Sequence, residues 1–108
     1  MTKISGYSFE GPFDIDTTNI PSDRAAVYVI ICKTPDGTNW IMDVGESGEV
    51  GVRIASHDRR PCWERSCNGS LRLKVYLRYM SNPDYTPEER RALEQKIRDQ
   101  YRPPCGET

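Results

Sequence analysis

The run Ala25–Lys33 (AAVYVIICK) constrains the fold more than any other part of this chain. It is β-branched and aromatic, and it has strand length. Successive side chains of a strand point to opposite faces. Val27, Val29 and Ile31 therefore share one face, and Tyr28, Ile30 and Cys32 share the other. Both faces are apolar, which calls for a central strand covered on both sides. Thr34-Pro35-Asp36-Gly37-Thr38 follows as a turn. Proline presets φ, Asp36 bonds the turn locally, and Gly37 accepts positive φ. Asn39–Val44 (NWIMDV) then reads as the returning strand of a hairpin, and Gly45-Glu46-Ser47-Gly48 breaks it.

Downstream, Glu49–His57 (EVGVRIASH) predicts a short helix. Val50 and Ile54 fall on one face, Arg53 and His57 on an adjacent stripe, and Gly51 weakens the helix. Asp58–Ser70 is expected to be a loop with one helical turn around Trp63. Leu71–Met80 alternates. Leu71, Leu73, Val75, Leu77 and Tyr79 face one way; Arg72, Lys74, Tyr76, Arg78 and Met80 face the other. That pattern predicts a strand with one buried and one basic face. Thr86-Pro87-Glu88-Glu89 is a helix start, with a capping hydroxyl, proline in the first turn and a glutamate that completes a capping box. The helix should run to Tyr101 with Ala92, Leu93, Lys96, Ile97 and Tyr101 inside, ending at Arg102-Pro103-Pro104. Residues 1–24 show no periodicity. They are expected to form an irregular arm, laid on the domain by Phe9, Phe13 and Ile15. At 108 residues the chain should be one α+β domain: this arm, then residues 25–108 as a three-stranded antiparallel sheet flanked by helices.

The net charge of −1 excludes a generally basic coat. The charge is unevenly placed, however. Residues 1–50 carry three Lys/Arg and eight Asp/Glu, whereas residues 51–80 carry seven and two. Arg59, Arg60, Arg72, Lys74 and Arg78 form the candidate nucleic-acid-binding set, because a local basic face binds phosphates even on an acidic chain. A solvated face is the plainer reading of the same residues. Four cysteines are present: Cys32, Cys62, Cys67 and Cys105. The N-terminal residues hold no apolar run, so a cytoplasmic location, no membrane span and reduced thiols are expected. His57 precedes Cys62 by five residues, but the spacing matches zinc fingers and ribbons poorly. Buried thiols are the simpler reading.

Order and spacing together resemble the GIY-YIG nuclease superfamily over residues 25–106. Ala26-Val27-Tyr28 stands for the first triplet and Asp43-Val44-Gly45 for the second. Arg53 follows Gly45 by eight residues, His57 lies one turn beyond, and Glu94 sits in the capped helix. The resemblance implies a metal-dependent DNA endonuclease that hydrolyses phosphodiester bonds. It implies that Tyr28 orients or deprotonates water, Arg53 braces the phosphate, His57 shuttles a proton or binds phosphate, and Glu94 holds Mg²⁺ or Mn²⁺. Two departures stand out. The second signature tyrosine is Asp43, and the family's terminal asparagine falls on Gly106. Asp43 is open to three readings: a second metal ligand beside Glu94, the mark of a weakened site, or a structural partner of Arg53. The plain alternatives are a strand aromatic for Tyr28 with its hydroxyl at the surface, an Arg53–Glu49 pair, a helix cap for His57, and pairing of Glu94 with Arg90, Arg91 or Arg98. DNA is the expected partner and RNA a further one, with a protein partner supplying specificity. A catalytically impaired nucleic-acid-binding module and a protein-interaction domain are the competing functions.

Overall fold

The computed structural model of the chain describes residues 2–16, 24–55, 57–67, 72–81 and 83–106. Its centre is β3 (Ala26–Lys33), every residue of which is buried except Lys33. The Thr34–Thr38 turn returns the chain into β4 (Asn39–Ser47). Asp36 Oδ1 accepts the Thr38 N–H at 3.0 Å, the local bond expected of an aspartate there. The strand does not break at Gly45, as the sequence suggests, but continues through Ser47. β5 (Leu73–Tyr79) pairs with the other edge of β3, so β3 is central as expected.

The sheet has five strands rather than three. β1 (Thr2–Ile4) and β2 (Tyr7–Asp14) form a hairpin in the segment read as an irregular arm. The antiparallel sheet runs β1-β2-β5-β3-β4. The register shifts between Glu10 and Phe13, at Gly11-Pro12, and this interruption hides the strand periodicity. Phe9 and Ile15 are buried and Phe13 packs against the core, so these residues do anchor the segment. Residues 17–23 of the arm lie outside the described residues.

Both faces of the sheet are covered. One carries Tyr28, Ile30, Leu73, Val75 and Leu77 against α1 (Val50–Ala55) and α2 (Arg60–Cys67), with Val50, Ile54 and Trp63 as helix partners. The other carries Val27, Val29, Ile31 and Tyr76 against Leu93 and Ile97 of α3 (Pro87–Tyr101). Burial of Leu93 and Ile97 contributes about 1.5–3 kcal/mol each. β5 therefore lacks the one open basic face expected of it: Tyr76 and Met80, on that face, are buried in the second core. Leu71, the expected start of the strand, lies outside the described residues. α2 spans two turns where a loop with one turn is expected.

The start of α3 matches its capping signal. Thr86 Oγ1 accepts the Glu89 N–H at 3.2 Å, and Pro87 opens the helix. Arg102, in the left-handed region at φ 48°, ends it. The buried stripe is Arg90, Leu93, Ile97 and Arg98. Ala92, Lys96 and Tyr101, expected inside, are exposed. The reason is electrostatic: two arginines turn inward to reach acceptors on β4, described below.

All four cysteines are crosslinked, contrary to the expectation of reduced thiols. Cys32 of β3 joins Cys67, and Cys62 joins Cys105 in the tail. Both bonds radiate from α2. One ties it to the sheet, the other to the segment after α3. Among the described residues no helix is long and apolar enough to cross a membrane.

Candidate functional site

β3 and β4 set the two triplets side by side. Tyr28 lies opposite Gly45, Val29 opposite Val44 and Ile30 opposite Asp43. Residues directly opposite in an antiparallel pair share a face, so the Tyr28 ring crosses the place where residue 45 would carry a side chain. A Cβ there would overlap the ring's hydroxyl end and stand 2.8 Å from its Cε2. Glycine is required at position 45 because the tyrosine occupies that space. The phenol is buried, not at the surface.

Tyr28 Oη lies 2.5 Å from His57 Nε2. His57 sits in the turn between α1 and α2, buried, with its ring 4.6 Å from that of Trp63. The Arg59 N–H donates to His57 Nδ1 at 3.1 Å. That bond assigns the ring proton to Nε2, which donates to the phenol oxygen and leaves the Tyr28 hydroxyl hydrogen for another acceptor. Burial, together with the charges of Arg53 and Arg59, lowers the His57 pKa to about 4. Burial is also the main cause that raises Tyr28 to about 12, against the pull of Arg59. At neutral pH both groups are uncharged. Arg53, with 39% of its side chain exposed, pairs with Asp58 at 3.2 Å and not with Glu49, although the Arg53 N–H closes a helical bond to the Glu49 carbonyl.

Asp43 is fully buried and accepts four hydrogen bonds. Oδ1 takes Arg98 Nη2 at 2.5 Å and the Val44 N–H at 2.8 Å. Oδ2 takes Arg59 Nε at 2.6 Å and Trp63 Nε1 at 2.8 Å. Four donors fill a carboxylate's accepting capacity. Asp43 is thus neither a partner of Arg53 nor free to ligate a metal. Arg98 continues past it, donating Nη1 to the Cys105 carbonyl at 3.2 Å and Nη2 to the Val44 carbonyl. The Cys105 N–H donates to the Met42 carbonyl at 3.0 Å. Arg98 and the tail, held by the Cys62–Cys105 bond, together close this stretch of the β4 edge. Gly106, at φ +89°, lies where a Cβ would stand 2.8 Å from Arg98 Nη1 and 2.9 Å from Asp43 Oδ1. The last position of the resemblance therefore touches the same cluster.

Glu94 sits one turn before Arg98, with its Oε2 3.8 Å from Arg98 Nε and 26% of its side chain exposed. Burial raises its pKa; Arg98 opposes this and the charge on Glu46 adds to it. Glu46, on β4, is held by Arg90 Nε at 2.9 Å, the second inward arginine of α3. Glu94 accepts no hydrogen bond from another described residue. Among the described residues no three His, Cys, Asp or Glu side chains group to hold a metal ion. A single carboxylate such as Glu94 fits a hydrated hard cation, whereas the saturated Asp43 does not fit as its second ligand.

The candidate nucleic-acid set is largely paired. Arg60 bonds Asp16 and Glu64, Lys74 bonds Asp14, and Arg59 bonds Asp43. Arg78 donates to the Ser8 carbonyl at 3.2 Å and lies over the Tyr7 ring. Arg72 is exposed. It lines a recess of about 290 Å³ with Trp40, Met42 and the Cys32–Cys67 bond. These cations do not form one open phosphate-binding face. Trp63, Arg98 and Glu46 belong to the site's framework but carry no motif that sequence reasoning could use. No protein-family model, curated protein or solved structure matches this chain.

Proposed function

We propose that this chain is a divergent GIY-YIG-type domain that hydrolyses phosphodiester bonds in DNA with a divalent metal ion. The observation that supports it most is the Tyr28–Gly45 register, with His57 bonded to the same phenol and Arg53 within electrostatic reach of it. Glu94 extends the set. It interacts electrostatically with Arg59 and Asp43, and Arg59 interacts in turn with Tyr28. Arg53 thus acts on both Tyr28 and His57, and Glu94 shares Arg59 and Asp43 with that pair as charged neighbours, which supports the reading.

The residues divide the work as follows. Tyr28 stays protonated at neutral pH and directs its free hydroxyl hydrogen to a water or a phosphate oxygen. His57, uncharged, fixes the phenol through Nε2. Arg53, half-exposed, supplies positive charge to the phosphate as negative charge develops on it. Glu94 would hold Mg²⁺ or Mn²⁺, which when bound supplies further charge stabilisation and a lowered pKa for its water. The two disulfides favour an oxidising compartment over the cytoplasm.

The test is supercoiled plasmid incubated with Mg²⁺ or Mn²⁺. Nicking is expected with the parent protein and should vanish in Arg53→Ala and Glu94→Ala. Equal nicking by all three proteins would refute the assignment. One observation favours the impaired binding module instead: no group of the Tyr28–His57 pair is ionised at neutral pH. That reading predicts salt-sensitive DNA binding without nicking.

A further inference from the structure

We infer that Arg59 is the anion-binding group that stands in for the missing second tyrosine, and that Asp43 is the positioning residue that aims it. The inference rests on the phosphodiester reading above and adds a residue and a division of labour to it.

Three observations carry it. First, Asp43 binds Arg59 through Nε alone. The two terminal amino groups of that guanidinium have no partner among the described residues. Second, 27% of the Arg59 side chain is exposed while Asp43 is fully buried, so the free end of the fork reaches solvent from a fixed base. Third, the backbone of Arg59 is tied to the Tyr28–His57 pair through its N–H on His57 Nδ1. Fixed at both ends of the residue, the guanidinium loses little freedom when it meets an anion. A planar fork with two open amino groups suits two oxygens of a phosphate. Arg60 and Lys74 do not have this arrangement: Arg60 meets carboxylates at both Nε and Nη2, and the Lys74 ammonium meets Asp14.

The carboxylate at position 43 then needs no separate cation to offset its charge near a phosphate. Arg98 and Arg59 offset it, and of the two only Arg59 has substantial exposure. A phenol at position 43 would offer one hydroxyl; Asp43 with Arg59 offers two N–H-bearing groups and a positive charge. The ligand is a phosphate monoanion or diester.

The experiment compares Arg59→Gln, Arg59→Lys and the parent protein, each oxidised and metal-free. Inorganic phosphate is titrated while the arginine Nε–H resonances are followed by NMR. Binding to a short duplex DNA is measured over a range of salt. Arg59 Nε–H should shift with phosphate. Arg59→Gln should weaken duplex binding about tenfold or more and lower the salt slope by about one. Arg59→Lys should restore the thermal midpoint lost in Arg59→Gln, since an ammonium still pairs with Asp43. It should not restore affinity, since it has no second fork to offer. A purely structural Arg59 would regain both. Phosphate that leaves the Arg59 resonance unmoved, or an Arg59→Gln protein with unchanged affinity and slope, overturns the inference. If that happens while Arg53→Ala still abolishes nicking, the nuclease reading stands without it. Arg59-dependent phosphate binding with no nicking by the parent protein supports the inference and removes the nuclease reading.

Discussion

Asp43→Asn is the sharpest single test of the buried cluster. The substitution keeps shape and removes one charge. Asp43 offers two oxygens to four donors: Arg98, the Val44 N–H, Arg59 and Trp63. Asparagine keeps one oxygen and presents an amide that donates. Whichever way it turns, two donors face an N–H₂ group. If the amide replaces Oδ2, Arg59 and Trp63 lose their acceptor. If it replaces Oδ1, Arg98 and Val44 lose theirs. Arg59, at 27% exposure, can turn toward water. Arg98, at 8%, cannot, and its remaining acceptors among the described residues include carbonyls and a distant Glu94 carboxylate at 3.8 Å. Removing one partner of a buried ion pair costs about 3–5 kcal/mol. A buried donor left unsatisfied costs about 1–3 kcal/mol. These terms overlap, and the escape of Arg59 trims the sum, so the expected loss is about 4 kcal/mol. A domain of this size has about 5–15 kcal/mol in total. In urea, with a slope of about 2 kcal/mol per molar, the midpoint should fall by about 2 M for the oxidised protein at neutral pH. A fall below about 0.5 M would refute the saturated-carboxylate account. Pairing Asp43→Asn with Arg98→Met should recover part of the loss, because the stranded charge goes with it.

Three further outcomes follow from the same structure. Peptide mapping without reductant should recover the Cys32–Cys67 and Cys62–Cys105 linkages. Replacing Cys32 and Cys67 with serine should cost about 4 kcal/mol at a separation of 35 residues, read from urea unfolding. For pH, burial holds folded His57 at about 4, below the ordinary 6.5. Between those values the unfolded chain binds a proton that the folded chain does not. The contribution of His57 is therefore fully present above pH 6.5 and is lost as pH falls toward 4, about 3 kcal/mol in all. Unfolding measured over that range should steepen for the parent protein and flatten in His57→Gln. An equal slope in both proteins would rule His57 out as the cause.

Much of the frame was legible in the chain. TPDGT marks the hairpin and TPEE the start of α3 through bonds a few residues apart, and the Ala25–Lys33 run marks the central strand because both of its faces are apolar. The N-terminal hairpin was not legible. Gly11-Pro12 interrupts alternation in β2, and the pairing of its second half comes from β5, sixty or more residues later. The inner stripe of α3 departs from its apolar periodicity for a related reason. Hydrophobic periodicity cannot show that Arg90 and Arg98 turn inward, since what draws them is Glu46 and Asp43 on β4. The cysteine pairs were equally hidden, because C-x4-C spacing does not say which sulfur meets which.

The chain by itself determined that Tyr28, Gly45, Arg53 and His57 fall at intervals that a hairpin and a short helix bring together. Only the tertiary structure decided what Asp43 does. A carboxylate's role depends on what surrounds it, and here two arginines and an indole from distant parts of the chain reach it in a fully buried position. Local sequence encodes period and turn, but a buried charge is defined by partners supplied through folding.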